Sequence, residues 1–297
     1  MTPGERGFLL LTSHLGDPQR RPLTSVQLRT LAQRVRNAEM QTDPRELVPG
    51  DLLQLGYGED EAVRIVSLLD DEELLEHCLR RGQKAGCVPL TRLSEAYPRS
   101  LRLRLGSNAP GCLWAKGDLE LLNRPKIALV GSRKLLPENR WFARQVGTEA
   151  ARQGFVLVSG NAPGADRTAQ DACIAAGGQV ISVVADELRH HTASDGVLYL
   201  SEDGFDLPFS AIRALSRNRI IHALGQCVLV AQSTLEKGGT WDGTIRNLKA
   251  GWSPVACFDD GRDSTLSLAQ MGAQLLSGDD LSDFDSLTQQ PKTLFDL

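Results

Sequence analysis

The sequence lacks the features that mark membrane, secreted or metal-binding proteins. The apolar run Phe8–Leu11 is far too short to span a membrane, and no charged segment with a longer apolar stretch follows Met1. The six cysteines form no Cys-x-x-Cys pair, so neither a zinc site nor a disulfide framework is indicated. We therefore predict a cytoplasmic protein without membrane contact, whose cysteines are small core residues in a reducing compartment.

An excess of positive charge is also missing. The chain carries 33 Lys and Arg residues against 37 Asp and Glu residues, which gives a formal net charge of -4. Proteins that bind nucleic acid through bulk charge are usually basic, so nucleic-acid binding here requires a local cluster of cations. A length of 297 residues is sufficient for one large α/β domain and a smaller one.

Residues 1–90 are predicted to form a small helical domain. Apolar residues recur at helical spacing between residues 26 and 35, and again in Ala62–Leu69. Asp51–Leu55 leads into the tight turn Gly56–Gly58, which precedes Ala62–Leu69, so this helix, turn and helix resemble a helix-hairpin-helix or sterile-alpha-motif-like unit. The acidic run Glu59–Glu61 at the turn favours a packing module over a nucleic-acid contact.

From Lys126 onward, strand and helix patterns alternate, which predicts an α/β fold with a doubly wound parallel sheet. Residues 86–123 before it are interpreted as a connector. The large domain is assigned to residues 91–277, and residues 278–297 to a loose acidic tail. Strands are predicted near 126–131, 155–159, 179–184, 197–200, 227–231 and 254–258. Helices are predicted near 138–153, 164–177, 211–223 and 241–250, with another after Ser264.

Glycine-rich segments follow several of these strands. Gly131-Ser132-Arg133 follows the first strand, and Ser159-Gly160 with Gly164 follows the second. Such loops at the carboxyl ends of parallel strands let the backbone approach a phosphate, and the arginine adds a fork of donors. Asp166 lies in the first turn of the next helix, where capping of the helix dipole and a role in the site are both open.

Two later segments carry the same chemistry. Arg217-Asn218-Arg219 precedes a predicted strand, and Lys237-Gly238-Gly239-Thr240 with Gly243 and Thr244 follows it. Neither is a dinucleotide-binding fingerprint nor a Walker loop. Together the segments predict a pocket for a nucleotide or a nucleic-acid backbone, in which Arg133, Arg217 and Arg219 bind phosphate jointly. The alternative is that Arg217 or Arg219 pairs with a carboxylate inside the fold.

The order of these motifs resembles the DprA/Smf family of DNA-processing proteins, from about Tyr97-Pro98 to about Phe258. The resemblance implies an extended Rossmann-like fold with a small N-terminal helical domain, single-stranded DNA binding, homodimerisation and loading of the RecA recombinase. Gly131, Ser132, Arg133, Ser159, Gly160, Arg217 and Arg219 would then line the DNA phosphate pocket. Apolar residues late in the sheet domain, Trp252, Val255 and Phe258, are candidates for the dimer contact or simply for the core.

The sequence departs from the family pattern at three places. Gln170 stands where the family usually has a histidine, Lys237–Thr244 replaces a serine-glycine-serine segment, and we expect a short tail, not a winged-helix domain, after the sheet. These differences indicate a divergent branch of the family.

Lys237–Thr244 also resembles the phosphate loop of the LOG phosphoribohydrolases in the same superfamily. Those enzymes place a glutamate where this chain has Asn247, which can act neither as a base nor as an anion. We therefore predict no enzymatic activity, with Asp242 or Glu236 as the residues that could rescue it. The alternative is a sensor of a nucleotide-derived signal, or a nucleotide-cleaving enzyme, that uses the same pocket, in which Trp241 could stack on a base.

No cofactor and no metal are predicted. His190 and His191, with Asp186 and Glu187, form the strongest metal candidate, but adjacent histidines rarely converge on one ion.

Overall fold

A computed structural model describes residues 1–17, 19–38, 47–202 and 204–288 of the chain. Its centre is a nine-stranded sheet in the order β1-β2-β6-β5-β4-β3-β7-β8-β9. The strands are β1 (Val88–Thr91), β2 (Cys112–Gly117), β3 (Lys126–Val130), β4 (Val156–Ser159), β5 (Gln179–Val184), β6 (Val197–Glu202), β7 (Val228–Val230), β8 (Val255–Phe258) and β9 (Gln274–Leu276).

Thirteen α-helices lie in the described residues. They are α1 (Pro3–Thr12), α2 (Ser25–Asn37), α3 (Pro49–Gln54), α4 (Glu59–Asp70), α5 (Glu72–Lys84), α6 (Arg99–Leu105), α7 (Pro137–Arg152), α8 (Ala165–Ala175), α9 (Ala211–Ser216), α10 (Asn218–Leu224), α11 (Gly238–Ala250), α12 (Asp263–Gln270) and α13 (Phe284–Thr288). Among the described residues, no helix is both long and apolar enough to cross a membrane.

The predicted doubly wound parallel sheet is confirmed. Strands β3 to β9 all run parallel, and helices cover both faces of the sheet. Every residue of β3 is buried, as expected for a central strand with an apolar layer on each side. The chain winds outward from β3 through β4 and β5 to β6 and then returns to β7 on the other side of β3, so the winding direction changes between β3 and β7.

The segment interpreted as a connector contributes two strands to the sheet. β2 pairs antiparallel with β6, and β1 pairs antiparallel with β2. The prediction was wrong there because both strands lie at the antiparallel end of the sheet, before the regular alternation that begins at Lys126, and β1 is only four residues long and contains Pro89. The short edge strand β9 was also missed.

The predicted helix 211–223 is two helices. α9 ends and α10 begins at Arg217, whose φ of -67° and ψ of -18° let it serve as the boundary of both. The break turns α10 inward, so that Ile220, Ile221, Ala223 and Leu224 are buried against the sheet.

The N-terminal helices do not stand apart from the sheet. Their apolar core continues into β2 through Trp114, and a Cβ added to Gly82 of α5 would lie 2.5 Å from that indole ring. The predicted helix–turn–helix is present as α3 and α4, with Gly56 at a φ of +81° in the turn. The division into domains stays a prediction.

Part of the segment interpreted as a loose tail is packed. Phe284 is buried in the core beneath α7, where its ring lies edge-on to Phe155 with the centroids 5.7 Å apart. Gln153 fixes the segment further, because its side chain donates to Leu281 O (2.7 Å) and accepts from Phe284 N (2.7 Å). Residues 289–297 of the predicted tail lie outside the described residues.

Candidate functional site

A pocket of about 630 Å³ opens at the carboxyl ends of β3 and β7, where the winding of the sheet reverses. Ser132 and Gln232, from the loops that follow these two strands, join its walls: the backbone and hydroxyl of Ser132 both donate to Gln232 O, at 3.0 and 3.2 Å. Open α/β sheets bind their ligands at such a reversal because the two loops diverge and leave a crevice.

Three exposed cations surround this pocket. Arg133 and Lys134 follow β3, and Lys237 precedes α11. None of their side chains makes a hydrogen bond or ion pair with another part of the described chain. Their charges are therefore available to an anionic ligand.

The N-terminus of α11 faces the same pocket through Gly238, Gly239 and Thr240. Lys237, the N-cap residue, provides no side-chain cap, so the first amides of this 13-residue helix are available for a ligand. Gly238 has a φ of +83°, which a residue with a side chain adopts only with strain. Amides and cations that converge in this way suit a phosphate group.

Arg217 and Asp166 form the inner wall of the pocket. The Arg217 guanidinium lies 3.9 Å from Asp166 Oδ2 and donates to Gly160 O at 2.9 Å. Asp166 also accepts from the backbone amides of Gly160 (3.1 Å) and Ala162 (3.2 Å). Burial raises the pKa of the Asp166 carboxyl, and Arg217 and the two amides oppose that rise. Asp166 therefore stabilises the loop after β4. It accepts hydrogen bonds from the loop amides of Gly160 and Ala162, which the sequence predicted to face a phosphate.

Ser159 is fully buried behind this wall. Its hydroxyl accepts from Gln170 Nε2 at 2.5 Å, and the same nitrogen donates to Ser182 on the neighbouring strand at 2.9 Å. Gln170, the departure from the family pattern, therefore bridges β4 and β5 beneath the pocket and has no contact with its opening.

Arg219 points away from the pocket. Its guanidinium forms a two-pronged ion pair with Glu202 at the end of β6, and its Nε donates to Asn108 O at 3.1 Å. Both side chains of this pair are largely buried. Arg219 thus fastens α10 to the sheet, which is the structural alternative left open by the sequence.

The structure brings most of the predicted site residues together. Those that line the pocket are Gly131, Ser132, Arg133, Asp166, Arg217, Asn218, Lys237, Gly238, Gly239 and Thr240. Those that lie outside its lining are Ser159, Gly160, Gly164, Arg219, Gly243 and Thr244. Gly164 is nevertheless required for the shape of the site, because a Cβ there would lie 2.5 Å from the carbonyl oxygens of Ser132 and Arg133.

Sequence reasoning missed several lining residues, among them Lys134, Phe209, His222 and Gln232. Phe209 is 56% exposed at the mouth of the pocket, an unusual position for one of only eight phenylalanines. Lys134 directly follows the motif Gly131-Ser132-Arg133, and His222 lies three residues after Arg219, so proximity in sequence was a signal that could have identified them. Gln232 gave no signal, since its role depends on the pairing of β3 with β7.

His222 lies at the floor of the pocket. Its side chain is fully buried, and within the described structure neither ring nitrogen has a hydrogen-bond partner. Burial lowers its pKa to about 3, so the imidazole is neutral at physiological pH. It therefore presents one donor and one acceptor that are unused within the protein.

The residues considered for catalysis do not converge on the pocket. Asn247 is fully buried, where it accepts from Ser253 N at 3.0 Å and donates to Ser253 Oγ at 3.3 Å. Asp242 is exposed on the neighbouring groove, and Trp241 is packed in the core. Asn247 thus supports the turn after α11.

The histidine pair lies elsewhere on the surface. His191 Nε2 is 2.9 Å from Asp186 Oδ1, and its ring stacks on Tyr199 with the centroids 4.7 Å apart. His190 Nε2 lies 3.8 Å from Glu187 Oε2. Each histidine is thus paired with a different carboxylate.

The fold and site define a doubly wound α/β protein with a cationic pocket at the reversal of its sheet, a class that binds nucleotides and phosphates. Residues 89–284 match the family model for DNA recombination-mediator protein A. The chain belongs to this family, and the DprA/Smf membership predicted from the sequence is confirmed.

Two curated relatives illustrate the match. DNA processing protein DprA of Bacillus subtilis is 30% identical over 227 residues, which cover 71% of this chain and 74% of that protein. The Streptococcus pneumoniae DprA is 28% identical over 257 residues, which cover 81% of this chain and 88% of that protein.

Solved structures agree. The X-ray structure of the S. pneumoniae protein superimposes with a TM-score of 0.70 at 26% identity, covering 95% of this chain and 97% of that one. DNA processing protein A of Helicobacter pylori, solved for its single-stranded DNA binding mode, gives a TM-score of 0.55 at 24% identity. That match covers 66% of this chain and 94% of that one, and it shows the common fold.

Proposed function

We propose that this DNA-processing protein binds the backbone of single-stranded DNA in the pocket between β3 and β7. The observation that carries the proposal is a set of three exposed cations, Arg133, Lys134 and Lys237, around the N-terminus of α11, none of them paired with a described residue. Backbone phosphates would lie against these groups, and Phe209 would stack on a base at the mouth of the pocket.

The charge pattern favours a strand over a small nucleotide. A closed pocket ringed by carboxylates would suit a small signal molecule. Asp166 is the one carboxylate that lines this pocket within the described chain, and it faces Arg217 and two backbone amides. A sensor of a free nucleotide is the second candidate, supported by the unpartnered imidazole of His222 at the floor.

The relatives support the same proposal. Those of B. subtilis and S. pneumoniae are named DNA processing proteins, and the H. pylori structure concerns single-stranded DNA. By analogy, the chain protects single-stranded DNA in the cytoplasm as a homodimer and loads RecA. The six buried free thiols suit a reducing compartment. A monomer mass in light scattering across a wide concentration range would exclude the dimer.

The proposed role is non-enzymatic. Cleavage of a nucleotide requires a carboxylate to stabilise the sugar cation and activate water, and the position expected for it holds the buried Asn247. We expect no base release from nucleoside monophosphates or nicotinamide dinucleotides by chromatography. Turnover that disappears in Asp242→Asn would establish the enzyme alternative.

The decisive test is charge reversal at Arg133. Arg133→Glu replaces an exposed, unpaired cation, so the fold should persist while affinity for an oligothymidine falls roughly tenfold or more. Because the contact is with the backbone, the loss should be similar across sequences. Arg144→Glu is the matched control, because Arg144 is an exposed arginine on α7 that does not line the pocket.

Fluorescence anisotropy measures the affinity of each variant for the oligothymidine, and competition with a panel of free nucleotides measures their affinities for the same site. Circular dichroism verifies that each variant is folded. Wild-type affinity in Arg133→Glu would remove this pocket as the DNA site. Tighter binding of a free nucleotide than of any oligonucleotide would favour the sensor.

A further inference from the structure

A second groove adjoins the pocket on the outer side of α11. It has a volume of about 560 Å³ and is bounded by α10, α11, Asn108 and Trp252. The two cavities share Leu215, Asn218 and Gly239 in their walls. Asn218 Nδ2 donates to Gly239 O at 3.0 Å, which fixes the ridge between them.

The far half of this groove is cationic. Arg246 and Lys249 are exposed on one face of α11, and neither forms a hydrogen bond or an ion pair with any described residue. Asp242 is the groove's one described carboxylate, so these two cations leave an excess of positive charge. Arg219 also borders the groove, but its charge is matched by Glu202.

An aromatic ring closes the groove. Trp252 follows the C-terminus of α11, where Gly251 adopts a left-handed conformation that ends the helix and turns the chain. The indole is half-buried, with one part packed against the core and another lining the groove. Sites for single-stranded nucleic acids combine cations that bind the phosphate backbone with aromatic rings that stack on bases. Arg246, Lys249 and the partly exposed indole of Trp252 provide both.

We propose that the DNA strand continues from the pocket over the Asn218–Gly239 ridge into this groove, where Arg246 and Lys249 bind its phosphates and Trp252 stacks on a base. The inference rests on the proposed DNA binding of the pocket itself. Gly239 and Lys249 are ten residues apart, or about 15 Å along the helix axis. A stacked strand covers that distance with about four nucleotides at roughly 3.4 Å each, so a trinucleotide fills one cavity and a longer strand reaches both.

The test compares an oligothymidine of about three nucleotides with one of about fifteen. The double variant Arg246→Ala/Lys249→Ala should bind the short strand like the wild type and the long strand roughly tenfold more weakly. The slope of log affinity against log salt for the long strand should fall by about 1.4, since each lost phosphate contact contributes about 0.7. Arg140→Ala/Arg144→Ala on α7 is the matched control and should change neither value.

Fluorescence supplies an independent readout. The long strand should quench tryptophan emission more than the short one, and Trp252→Phe should remove the difference.

Each outcome separates the two proposals. If the wild type binds neither strand, both fall. If the long strand binds and the double variant matches the wild type, the pocket remains the DNA site and the groove proposal is overturned. A double variant that loses self-association while keeping its affinity for the long strand would assign the groove to a second copy of the chain, which also overturns it.

Discussion

Replacement of His222 by leucine should remove a specific part of the protein's acid sensitivity. The native imidazole is fully buried and has no hydrogen-bond partner among the described residues, and burial lowers its pKa to about 3. In the unfolded chain the pKa returns to about 6.5. Below that value the unfolded state binds a proton that the native state does not, so stability falls as pH decreases from about 6.5 to about 3.

The magnitude follows from the proton affinity. Each pH unit in this window lowers the free energy of unfolding by about 1.4 kcal/mol. At pH 5.0 the loss attributable to His222 is therefore about 2 kcal/mol relative to pH 7.5. Leucine has a similar volume and no titrating group, so His222→Leu should lack this loss. It also removes two unsatisfied polar atoms from the core, which favours the variant at neutral pH.

Urea unfolding of both proteins at pH 7.5 and pH 5.0 measures the effect. Carboxylates contribute equally to the wild type and the variant, so the difference between the two pH dependences isolates the imidazole. His77→Leu, at an exposed position on α5, should retain the full wild-type pH dependence. Equal stability losses in the wild type and His222→Leu would refute the assignment of a neutral, buried imidazole.

Two further predictions concern predicted site residues that lie outside the pocket lining. In Gly160→Ala the new Cβ would lie 1.5 Å from Arg217 Nη1 and displace the guanidinium. We therefore expect weaker oligonucleotide binding and a loss of about 2 kcal/mol in the free energy of unfolding measured in urea. Gly50→Ala is the control and should be tolerated, because no described atom lies within 4 Å of the new Cβ. Arg219→Leu should lower the free energy of unfolding by about 1–3 kcal/mol, because Glu202 keeps a largely buried charge without its partner. The affinity for a trinucleotide should not change. A weakened affinity with normal stability would instead place Arg219 in the site.

The sequence predicted the parallel strands and the loops that follow them because both depend on local patterns. Lys126–Val130 is a buried strand with glycine at its end, and that pattern alone places the loop at the edge of the sheet. The antiparallel strands β1 and β2 escaped prediction because they precede the regular alternation of strands and helices, and because β1 is only four residues long and contains Pro89, a poor strand former.

The partners of the arginines could not be predicted in this way. Arg217 and Asp166 are 51 residues apart, and Arg219 and Glu202 are 17 apart, so only the packed helices decide which charge is internal. Arg133 has no side-chain partner among the described residues, and it lines the pocket as its motif predicted.

The hydrogen bond from Ser132 to Gln232 also has a consequence for the newly made chain. It joins residues 100 positions apart, and the first turn of α11 completes the pocket only at residue 240. At a synthesis rate of about 5–20 residues per second, roughly 5–20 s separate Arg133 from Thr240 during translation. Throughout that interval the glycine-rich loop after β3 has been synthesised but the N-terminus of α11 has not. A ribosome-bound chain that ends before α11 therefore lacks one wall of the proposed anion site, and a ligand bound there can stabilise the protein only after seven of the nine strands have been synthesised.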